Sequence, residues 1–437
     1  MQFIPNVIFA ILLGVGVFYF ANNVKKLVRN IKLGKDVNRS DQKSERWANM
    51  IRIALGQSKM VRRPVSGALH IIVYAGFIII NIEVLEIILD GLLGTHRLFL
   101  PVLGNGIYGF LIGTFEILAF LVLVSVIIFW IRRNIIKIKR FLSKEMTGWP
   151  KSDGNIILYF EMVLMSLFLI MNATDIHLQE AGVGNVISQF IAPLFSGISS
   201  EGIHVIERTT WWIHIIGILA FLNYLYYSKH LHILLAFPNT FYANLKPKGQ
   251  FVNNKNVTKE VQLMMDPNAD PYAAPTEDEG EPEKFGASDV TDLNWVQLMN
   301  AYTCTECGRC TSVCPANLTG KELSPRAIMM KTRDRLEEVG KNIDANKGTF
   351  QEDGKQLLGE GYITQEEIWA CTSCNACVEE CPVNIDPLSI IMDMRQYLVM
   401  EQSAAPQELN TMMQNVENNG APWQYSQMDR LNWVNEE

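Results

Sequence analysis

Five apolar stretches, each long enough to cross a bilayer as a helix, constrain this chain more than any other feature of its sequence. They lie at residues 4–21, 65–89, 107–131, 156–173 and 211–237. A segment inside a bilayer must satisfy its own backbone groups, so each stretch is predicted to be a transmembrane helix. The first stretch also has the apolar core of a signal peptide. No small-residue cleavage site follows it, and we interpret it as a helix that is retained.

Basic residues are concentrated in alternate loops between these stretches. Residues 22–64 carry 12 Lys and Arg and residues 132–154 carry seven, whereas the loops near 90–106 and 174–210 carry one each. By the positive-inside rule this asymmetry predicts an N-terminus outside and a cytoplasmic location for everything after residue 237. We expect a multi-pass protein of the bacterial inner (cytoplasmic) membrane, surrounded by membrane lipid.

The two halves of the chain differ in charge. Residues 1–240 have a net charge of +8, and residues 241–437 have a net charge of −15. The acidic half argues against nucleic-acid binding, which requires a cationic surface. Acidic residues, Pro and Ala without helical periodicity mark a linker around residues 266–283.

All eight cysteines lie between residues 304 and 381, in two runs of the form C-x2-C-x2-C-x3-C-P. This is the spacing of two-cluster ferredoxins, in which the fourth Cys of a run ligates the other cluster. We therefore predict two [4Fe–4S] clusters. One is held by Cys304, Cys307, Cys310 and Cys381, and the other by Cys371, Cys374, Cys377 and Cys314. Zinc is the weaker alternative, because zinc sites commonly use pairs of CxxC. No cysteine remains for a disulfide framework.

Histidines on the apolar stretches are candidate haem ligands, because a polar residue inside a bilayer usually has a partner or a task. His214 and His232 are 18 residues apart, five turns of one continuous helix, so they are predicted to share a face near opposite sides of the membrane. His70 begins the second stretch at the depth of His232, so His70 and His232 are predicted to bind one haem b. A pair of interfacial histidines without a cofactor is the alternative. His230 is predicted to face elsewhere.

The fifth stretch resembles a known family. Its segments Trp-Trp-Ile-His214 and Tyr-Ser-Lys-His-Leu-His232-Ile-Leu-Leu-Ala-Phe-Pro are similar to the haem b gamma subunit of respiratory nitrate reductases and to membrane subunits of heterodisulfide-reductase-like complexes. That family has two histidines on helix 2, where this chain has His70 and Ile80. The resemblance thus implies an inner haem, and leaves His214 without its usual partner. His177, His204 and His96 are candidate partners for a second haem. Otherwise His214 binds a quinone or pairs within the bundle.

Five carboxylates fall in or near the apolar stretches and are candidates for carrying protons to or from a quinone. They are Glu83, Glu86, Glu116, Glu161 and Asp175. Glu83 and Glu86 are three residues apart and share a helix face. The alternative is that some of them lie at the membrane interface and only form hydrogen bonds.

The cysteine-rich half resembles α-helical ferredoxin domains, such as those of succinate dehydrogenase iron–sulfur subunits and of small heterodisulfide reductase subunits. Residues 325–340, 366–370 and 387–400 are predicted to be helical. Residues 418–423 and 428–433 look like the segment that leads to the cysteine-rich catalytic module in heterodisulfide-reductase-D-like proteins. No such module follows here, so the resemblance implies a cysteine-rich, heterodisulfide-reductase-D-like partner on a separate polypeptide.

Together these features predict a mostly α protein, in which a five-helix transmembrane haem bundle is followed by an α-helical ferredoxin domain. The predicted division is a transmembrane haem b domain at 1–240, an acidic linker at 241–290, a two-cluster ferredoxin domain at 291–400, and a partner-docking tail at 401–437.

The predicted role is that of the electron-transfer subunit of a quinone-linked oxidoreductase. It would relay electrons between menaquinone or another quinone and a cytoplasmic partner. Electron-transfer-flavoprotein:menaquinone oxidoreductases share this domain order, which implies an electron-transfer flavoprotein as the donor. The chain has no complete substrate site of its own apart from a quinone site, and no catalytic residue is assigned. A membrane redox sensor or assembly scaffold is the alternative.

Overall fold

The structure is a computed structural model that describes residues 3–251, 253–267 and 284–435. It is 69% helical and the described ranges contain no strand, which confirms the predicted mostly α class. Five helices are long and apolar enough to cross a membrane, and the iron–sulfur region follows them.

The membrane half of the chain forms α-helices of very different lengths. In chain order they are α1 Ile4–Ile31, α2 Lys43–Met50, α3 Pro64–Leu93, α4 Phe99–Asn134, α5 Trp149–Thr174, α6 Ile176–Ala181, α7 Ser188–Ile191, α8 Ser200–Tyr224 and α9 His232–Phe241.

Helices α1, α3, α4, α5 and α8 pack side by side and alternate in direction. The start of α1 and the end of α3 meet at one end of this bundle, where Asn6 Nδ2 donates to the Gly91 carbonyl at 2.8 Å. Helices α3 and α4 approach so closely that a methyl group at Gly76 would overlap Val122. Proline occupies the first turn of α1, α3 and α5, where its missing N–H has no helical acceptor to lose.

The fifth predicted span differs from expectation. The apolar pattern predicts a single helix over residues 211–237, but α8 ends at Tyr224 and two 3₁₀ turns, Leu225–Tyr227 and Lys229–Leu231, precede α9. Ser228 between the turns is extended, with φ −118° and ψ 156°. Its hydroxyl accepts from the His230 N–H at 3.1 Å, and Asp153 Oδ2 accepts from the Lys229 N–H at 3.1 Å. These side-chain acceptors replace the helical carbonyls at the break.

The second half of the chain is also helical. Its elements are α10 Lys255–Met265, α11 Trp295–Thr303, α12 Pro315–Leu318, α13 Pro325–Ala345, α14 Gln365–Trp369, α15 Ala376–Glu380, α16 Pro387–Met400, α17 Gln407–Asn419 and α18 Asn432–Asn435. Helix α10 falls within the segment predicted as a linker at 241–290, and most of the linker's acidic centre, at residues 268–283, lies outside the described residues.

The ferredoxin region has its own apolar core, to which α11, α13 and α16 contribute Leu298, Ile328 and Met394. Side-chain caps fix where its helices start. Asn294 and Gln297 form a capping box at α11, and Thr364 and Glu367 form another at α14. Burial of one face of each helix against the others provides most of the driving force for this packing.

The ferredoxin region docks on the end of the bundle where α1 finishes. Asn30 Nδ2 donates to the Tyr302 hydroxyl at 2.9 Å, and Arg29 Nη2 donates to the Gly340 carbonyl at 3.1 Å. Lys35 pairs with the chain next to Asn294 through backbone hydrogen bonds. Gly34 permits this approach, because a Cβ there would lie 2.6 Å from the Trp295 nitrogen. We call this the proximal end of the bundle and the opposite end the distal end.

Candidate functional site

His70 and His232 come together at the proximal end of the bundle. His70 lies in the second turn of α3 and His232 is the first residue of α9. Their ring centroids are 6.4 Å apart, with 43° between the ring planes. The Lys229 carbonyl lies 3.1 Å from His232 Nδ1. In the tautomer with hydrogen on Nδ1, that nitrogen donates to the carbonyl, and Nε2 is left without a hydrogen and free to bind a metal. Nδ1 of His70 is buried without a hydrogen-bond partner.

The distance between the rings suits a single metal ion held by both. A metal–imidazole bond of about 2 Å on each side, plus about 1 Å from each nitrogen to its ring centre, gives a centroid separation of about 6 Å. The observed separation of 6.4 Å agrees with this value. The separation of the two imidazoles is therefore compatible with His70 and His232 as the residues that would hold a haem b.

His230 lies beside this pair, contrary to the expectation that it faces elsewhere. Its ring centroid is 5.4 Å from that of His232 and 5.3 Å from that of Phe221. The expectation was wrong because it extended one helical phase through Ser228, where the structure breaks the helix. The same break removes the basis for placing His214 and His232 on a common face.

His214 and His177 are not brought together. His214 is buried in α8, with its ring 6.0 Å from Phe168 and its Nδ1 without a partner. His177 is exposed at the distal end, where its ring lies 6.2 Å from that of His96. Ile80 is packed in the same apolar cluster as Phe168. In the described residues no second histidine ring contacts His214, so nothing here supports a second haem.

The first cysteine run surrounds a cleft of about 400 Å³ in the ferredoxin region. Four thiols of the predicted first cluster line it: Cys304, Cys307, Cys310 and Cys381. Cys377 also lines this cleft, at the boundary with the second group of thiols. Cys381, from the second run, therefore lies beside Cys304, Cys307 and Cys310 of the first run, and the crossed assignment of ligands stays a prediction.

The second group of thiols is closer to the surface. Cys371, Cys377 and Cys314 are near enough to interact electrostatically, and Cys374 beside Cys371 is exposed to solvent. The Ser373 N–H donates to Cys371 Sγ at 3.4 Å. In the first group the Ile385 N–H donates to Cys381 Sγ at 3.3 Å. Such bonds stabilise thiolates that carry negative charge.

The two cysteine loops are built alike. Glu306 and Gly308 in the first loop have φ of 55° and 71°, and Ser373 and Asn375 at the matching places of the second have φ of 58° and 60°. This left-handed backbone is uncommon outside glycine, so its recurrence indicates a shared loop shape. In both loops it turns the chain so that successive cysteines face one centre.

A buried ion triad joins the first cysteine loop to the haem-ligand candidates. Glu306 lies between Lys229 and Arg333, accepting from Arg333 Nη2 at 2.9 Å and from Lys229 Nζ. Burial raises the pKa of the Glu306 carboxyl, but the two cations outweigh burial and hold that pKa below its ordinary value. Lys229 is three residues from His232 and its carbonyl faces that ring, so the triad ties the two candidate centres together.

Further contacts join the membrane half to both cysteine runs, at Arg309 in the first run and at Cys381 and Val383 in and after the second. Lys59 Nζ donates to the Cys381 carbonyl at 3.2 Å, and Arg309 Nη1 donates to the Lys59 carbonyl at 3.0 Å. Asn239 Nδ2 in α9 donates to the Val383 carbonyl at 2.7 Å. Sequence reasoning missed these residues and Glu306. Glu306 could have been noticed in the sequence, because an acidic residue between two predicted ligands of an anionic cluster needs cations to balance its charge.

The candidate proton carriers lie mostly at the distal end. Glu83, Glu116 and Asp175 are buried in a hydrogen-bonded network around Arg97, and Glu86 is buried beside it. Glu161 is buried on α5 and has no ion pair with Arg97 in the described residues.

Comparisons with known proteins agree with the iron–sulfur part of this description. Residues 303–385 match the family described as 4Fe-4S dicluster domain. No solved structure matches the chain. The match supports two [4Fe–4S] clusters in the region where the eight cysteines lie.

Three relatives place the chain among redox proteins. A probable iron-sulfur-binding oxidoreductase FadF of Bacillus subtilis is 29% identical over 98% of this chain and 60% of its own length. An EtfAB:quinone oxidoreductase of Syntrophomonas wolfei is 25% identical over 97% of this chain and 58% of its own length. A probable membrane-anchored ferredoxin of Chromohalobacter salexigens is 31% identical over 34% of this chain and 24% of its own length.

The relatives are thus iron–sulfur oxidoreductases and electron-transfer proteins, and the redox role predicted from the cysteine runs is confirmed in general terms. The chain spans about 60% of the length of the first two. Its five apolar helices and the membrane-anchored relative indicate a membrane protein.

Proposed function

We propose that the chain is the membrane subunit of a quinone-linked oxidoreductase, which relays electrons between the quinone pool and a cytoplasmic redox partner. The observation that carries the proposal is the placement of two histidines, spaced for one haem b, beside the first cysteine loop. The quinone assignment is supported by the name of the Syntrophomonas relative, an EtfAB:quinone oxidoreductase.

The proposed cofactors are one haem b and two [4Fe–4S] clusters, with the quinone as an exchangeable carrier. When bound, the haem and the clusters each accept and release one electron at a time, whereas a quinone exchanges two. His70 and His232 would hold the haem in this proposal, and the haem would supply one-electron transfer there. The first cluster belongs to Cys304, Cys307, Cys310 and Cys381. The second belongs to Cys371, Cys374, Cys377 and Cys314.

The protein's own residues hold these centres in a fixed order. The Lys229–Glu306 contact links the segment of His232 to the first cysteine loop. Cys377 borders both thiol groups, and the exposed Cys374 brings the second group to the surface. The order is therefore histidine pair, first cysteine group, second cysteine group and solvent, which is the order that a relay to a soluble partner needs.

The tail proposed for docking the partner is strongly exposed. Met428 and Trp433 have 90% and 71% of their surfaces accessible, an unusual exposure for large apolar side chains. The proposed partner is a cysteine-rich, heterodisulfide-reductase-D-like protein. Electron-transfer flavoprotein is the proposed donor, supported by the name of the Syntrophomonas relative. In the proposed topology the N-terminus is outside and the ferredoxin region is cytoplasmic.

The test is to purify the chain from native membranes and to count haem, iron and acid-labile sulfide per chain. A menaquinol analogue is then added, and haem reduction is followed by absorbance and cluster reduction by electron paramagnetic resonance. We expect one haem and two clusters, reduced in that order. A chain that holds all three centres but is not reduced by quinol would contradict the relay and favour a redox sensor or scaffold.

A further inference from the structure

The distal end of the bundle contains an excess of buried negative charge. Five buried carboxylates surround a single buried cation, Arg97, within the described residues. They are Glu83, Glu86, Asp90, Glu116 and Asp175. We call these six residues the distal network. Uncompensated charge inside a bilayer is expensive, so a group of this composition must bind protons or distribute its charge over many hydrogen bonds.

Arg97 is the common counter-ion of two of these carboxylates. Its Nη1 donates to Glu83 Oε1 at 2.7 Å, and its Nε donates to Asp175 Oδ2 at 3.1 Å. Its Nη2 donates to Asn172 Oδ1 at 2.7 Å, and the Asn172 amide in turn donates to Glu116 at 3.2 Å. One guanidinium therefore connects α3 to α5.

The carboxylates of the distal network differ in the number of hydrogen bonds that they accept. Asp90 accepts from Thr95 Oγ1 and the N–H groups of Arg97 and Leu98. Glu116 also accepts three hydrogen bonds, including those from the N–H groups of Ile187 and Ser188 at 2.8 and 3.0 Å. A carboxylate with two or three donors is stabilised in its ionised form.

Glu83 is the exception in the distal network. It accepts only from Arg97, on Oε1, and its Oε2 is buried without any hydrogen-bond partner. Only 1% of Glu83 is accessible to solvent. If Glu83 is ionised, its charge is balanced by Arg97 alone and Oε2 has no hydrogen-bond donor, whereas a proton on Oε2 removes the charge from the carboxyl group.

We propose that Glu83 is a proton-binding site inside the distal half of the bundle, which exchanges its proton with the surface beside His96. In the loaded form the proton is on Oε2 of a neutral carboxyl. On release the O–H bond breaks and the proton passes to water. The remaining negative charge is balanced by the Arg97 guanidinium, which already contacts Oε1. The exchange involves no electron and no other reactant.

A narrow cleft lined by Glu86, His96 and Arg97 among others lies beside Glu83, which is joined to the cleft through its bond to Arg97. At its mouth His96 Nε2 lies 3.2 Å from Asp175 Oδ2, and the His96 side chain is 39% exposed. His96 is thus within reach of bulk protons and touches the carboxylate that shares Arg97 with Glu83. Glu83 and Asp175 share the Arg97 guanidinium, so a proton gained at the His96–Asp175 pair frees Arg97 to stabilise ionised Glu83, which favours transfer between the two sites.

The charged and titratable groups around Glu83 come from every neighbouring element. They are Glu86 and Asp90 on α3, His96 and Arg97 in the following turn, Tyr108 and Glu116 on α4, Asp175 and His177 after α5, and His204, Glu207 and Arg208 on α8. Arg208 pairs with Glu207, and Tyr108 donates to Glu86 at 2.9 Å, so neither neutralises Glu83.

The inference goes beyond the proposed relay, because the proton site can be detected in the resting protein. One consequence rests on the proposed function: a proton site at this end would supply or remove the protons that accompany quinone reduction or oxidation.

The test uses infrared spectroscopy of the complete chain with its cofactors in lipid nanodiscs, without quinol or partner. We expect a carboxylic C=O band that shifts promptly on transfer to D₂O and disappears at high pH. Glu83→Gln should abolish it and Glu83→Asp should retain it at a shifted position. Glu161→Gln, which removes a buried carboxyl outside the distal network, should leave it in place.

A wild-type spectrum without any band that depends on Glu83 would overturn the inference. So would a Glu83 band that neither exchanges in D₂O nor titrates. Unchanged haem absorbance in the variants shows that the bundle has folded. Quinol reactivity does not enter this measurement, so a negative result here is distinguishable from failure of the proposed relay.

Discussion

Removal of the Glu306 carboxylate should loosen the first cysteine loop selectively. The Glu306 side chain is 3% exposed and bonds to Lys229 and Arg333, whose side chains are 10% and 18% exposed. Breaking a buried ion pair typically costs about 3–5 kcal/mol because a charge is left unpaired. Here Lys229 keeps Asp153 at 3.6 Å and Arg333 keeps Asp334 at 3.2 Å. We therefore expect about 2–3 kcal/mol for Glu306→Ala.

The assay is hydrogen–deuterium exchange of the complete, cofactor-loaded chain. A loss of about 2–3 kcal/mol corresponds to amide protection roughly 30- to 150-fold lower across residues 304–314. Glu306→Gln keeps one of the two acceptor oxygens and turns an amide N–H toward the second cation, so it should recover little of the lost free energy. Glu322→Gln, an exposed carboxylate in the same region, should change nothing measurable. Protection of the loop within about threefold of wild type in Glu306→Ala would refute the reasoning.

Three further changes test other parts of the structure. Replacing His70 or His232 with Ala should remove most b-type absorbance while the clusters remain visible by electron paramagnetic resonance; unchanged absorbance would discredit this ligand pair. Cys381→Ser should damage the cluster of the first cysteine run, although Cys381 lies in the second; loss confined to the second cluster would contradict the crossed assignment. Burial raises the pKa of Asp393 to about 6, despite a hydrogen bond from Gln297 at 2.6 Å. Because the folded pKa lies above the unfolded one, stability should fall by about 2–3 kcal/mol between about pH 4 and pH 6 and stay low above that. Asp393→Asn should flatten this fall in thermal denaturation across that range, and an equal fall in the variant would exclude Asp393 as its source.

The sequence predicted the membrane helices because their signal is long and purely compositional. The predicted stretch at 156–173 lies inside α5, Trp149–Thr174, and the other stretches also overlap helices. The predicted helix at 387–400 coincides with α16, Pro387–Met400, because Pro387 marks its first turn. Local signals of this kind need no knowledge of tertiary contacts.

The break at Ser228 was not predictable in the same way. Residues 211–237 have a continuous apolar pattern, and a serine alone does not end a helix. The break depends on Asp153, which is distant in sequence and accepts from the Lys229 N–H. The direction predicted for His230 was wrong because it assumed a continuous helix through Ser228. The prediction that His70 and His232 lie at the same depth used only the ends of the two spans, and their rings are close together in the structure.

The distal network could be predicted in composition and not in geometry. Four of its five carboxylates, all except Asp90, were identified as candidate proton carriers from their position in or near apolar stretches. In the sequence, Arg97 is the single basic residue of its loop, and the positive-inside rule uses it only to assign topology. The structure inserts that arginine between Glu83 and Asp175. A loop residue enters the bundle here because five carboxylates offer it more stabilisation than a solvated loop would.

The two ends of the bundle have opposite chemical character, and this division is compatible with the proposed quinone-linked relay. At the proximal end, the cysteine loops contact the cations Lys59, Lys229 and Arg309, which suits centres that carry negative charge and exchange electrons. At the distal end, carboxylates outnumber cations, which suits the exchange of protons. His70 and Glu83 are on the same helix, 13 residues or about 20 Å apart. A single rigid helix thus fixes the distance between the proposed electron and proton sites, and neither site needs to move for the other to act.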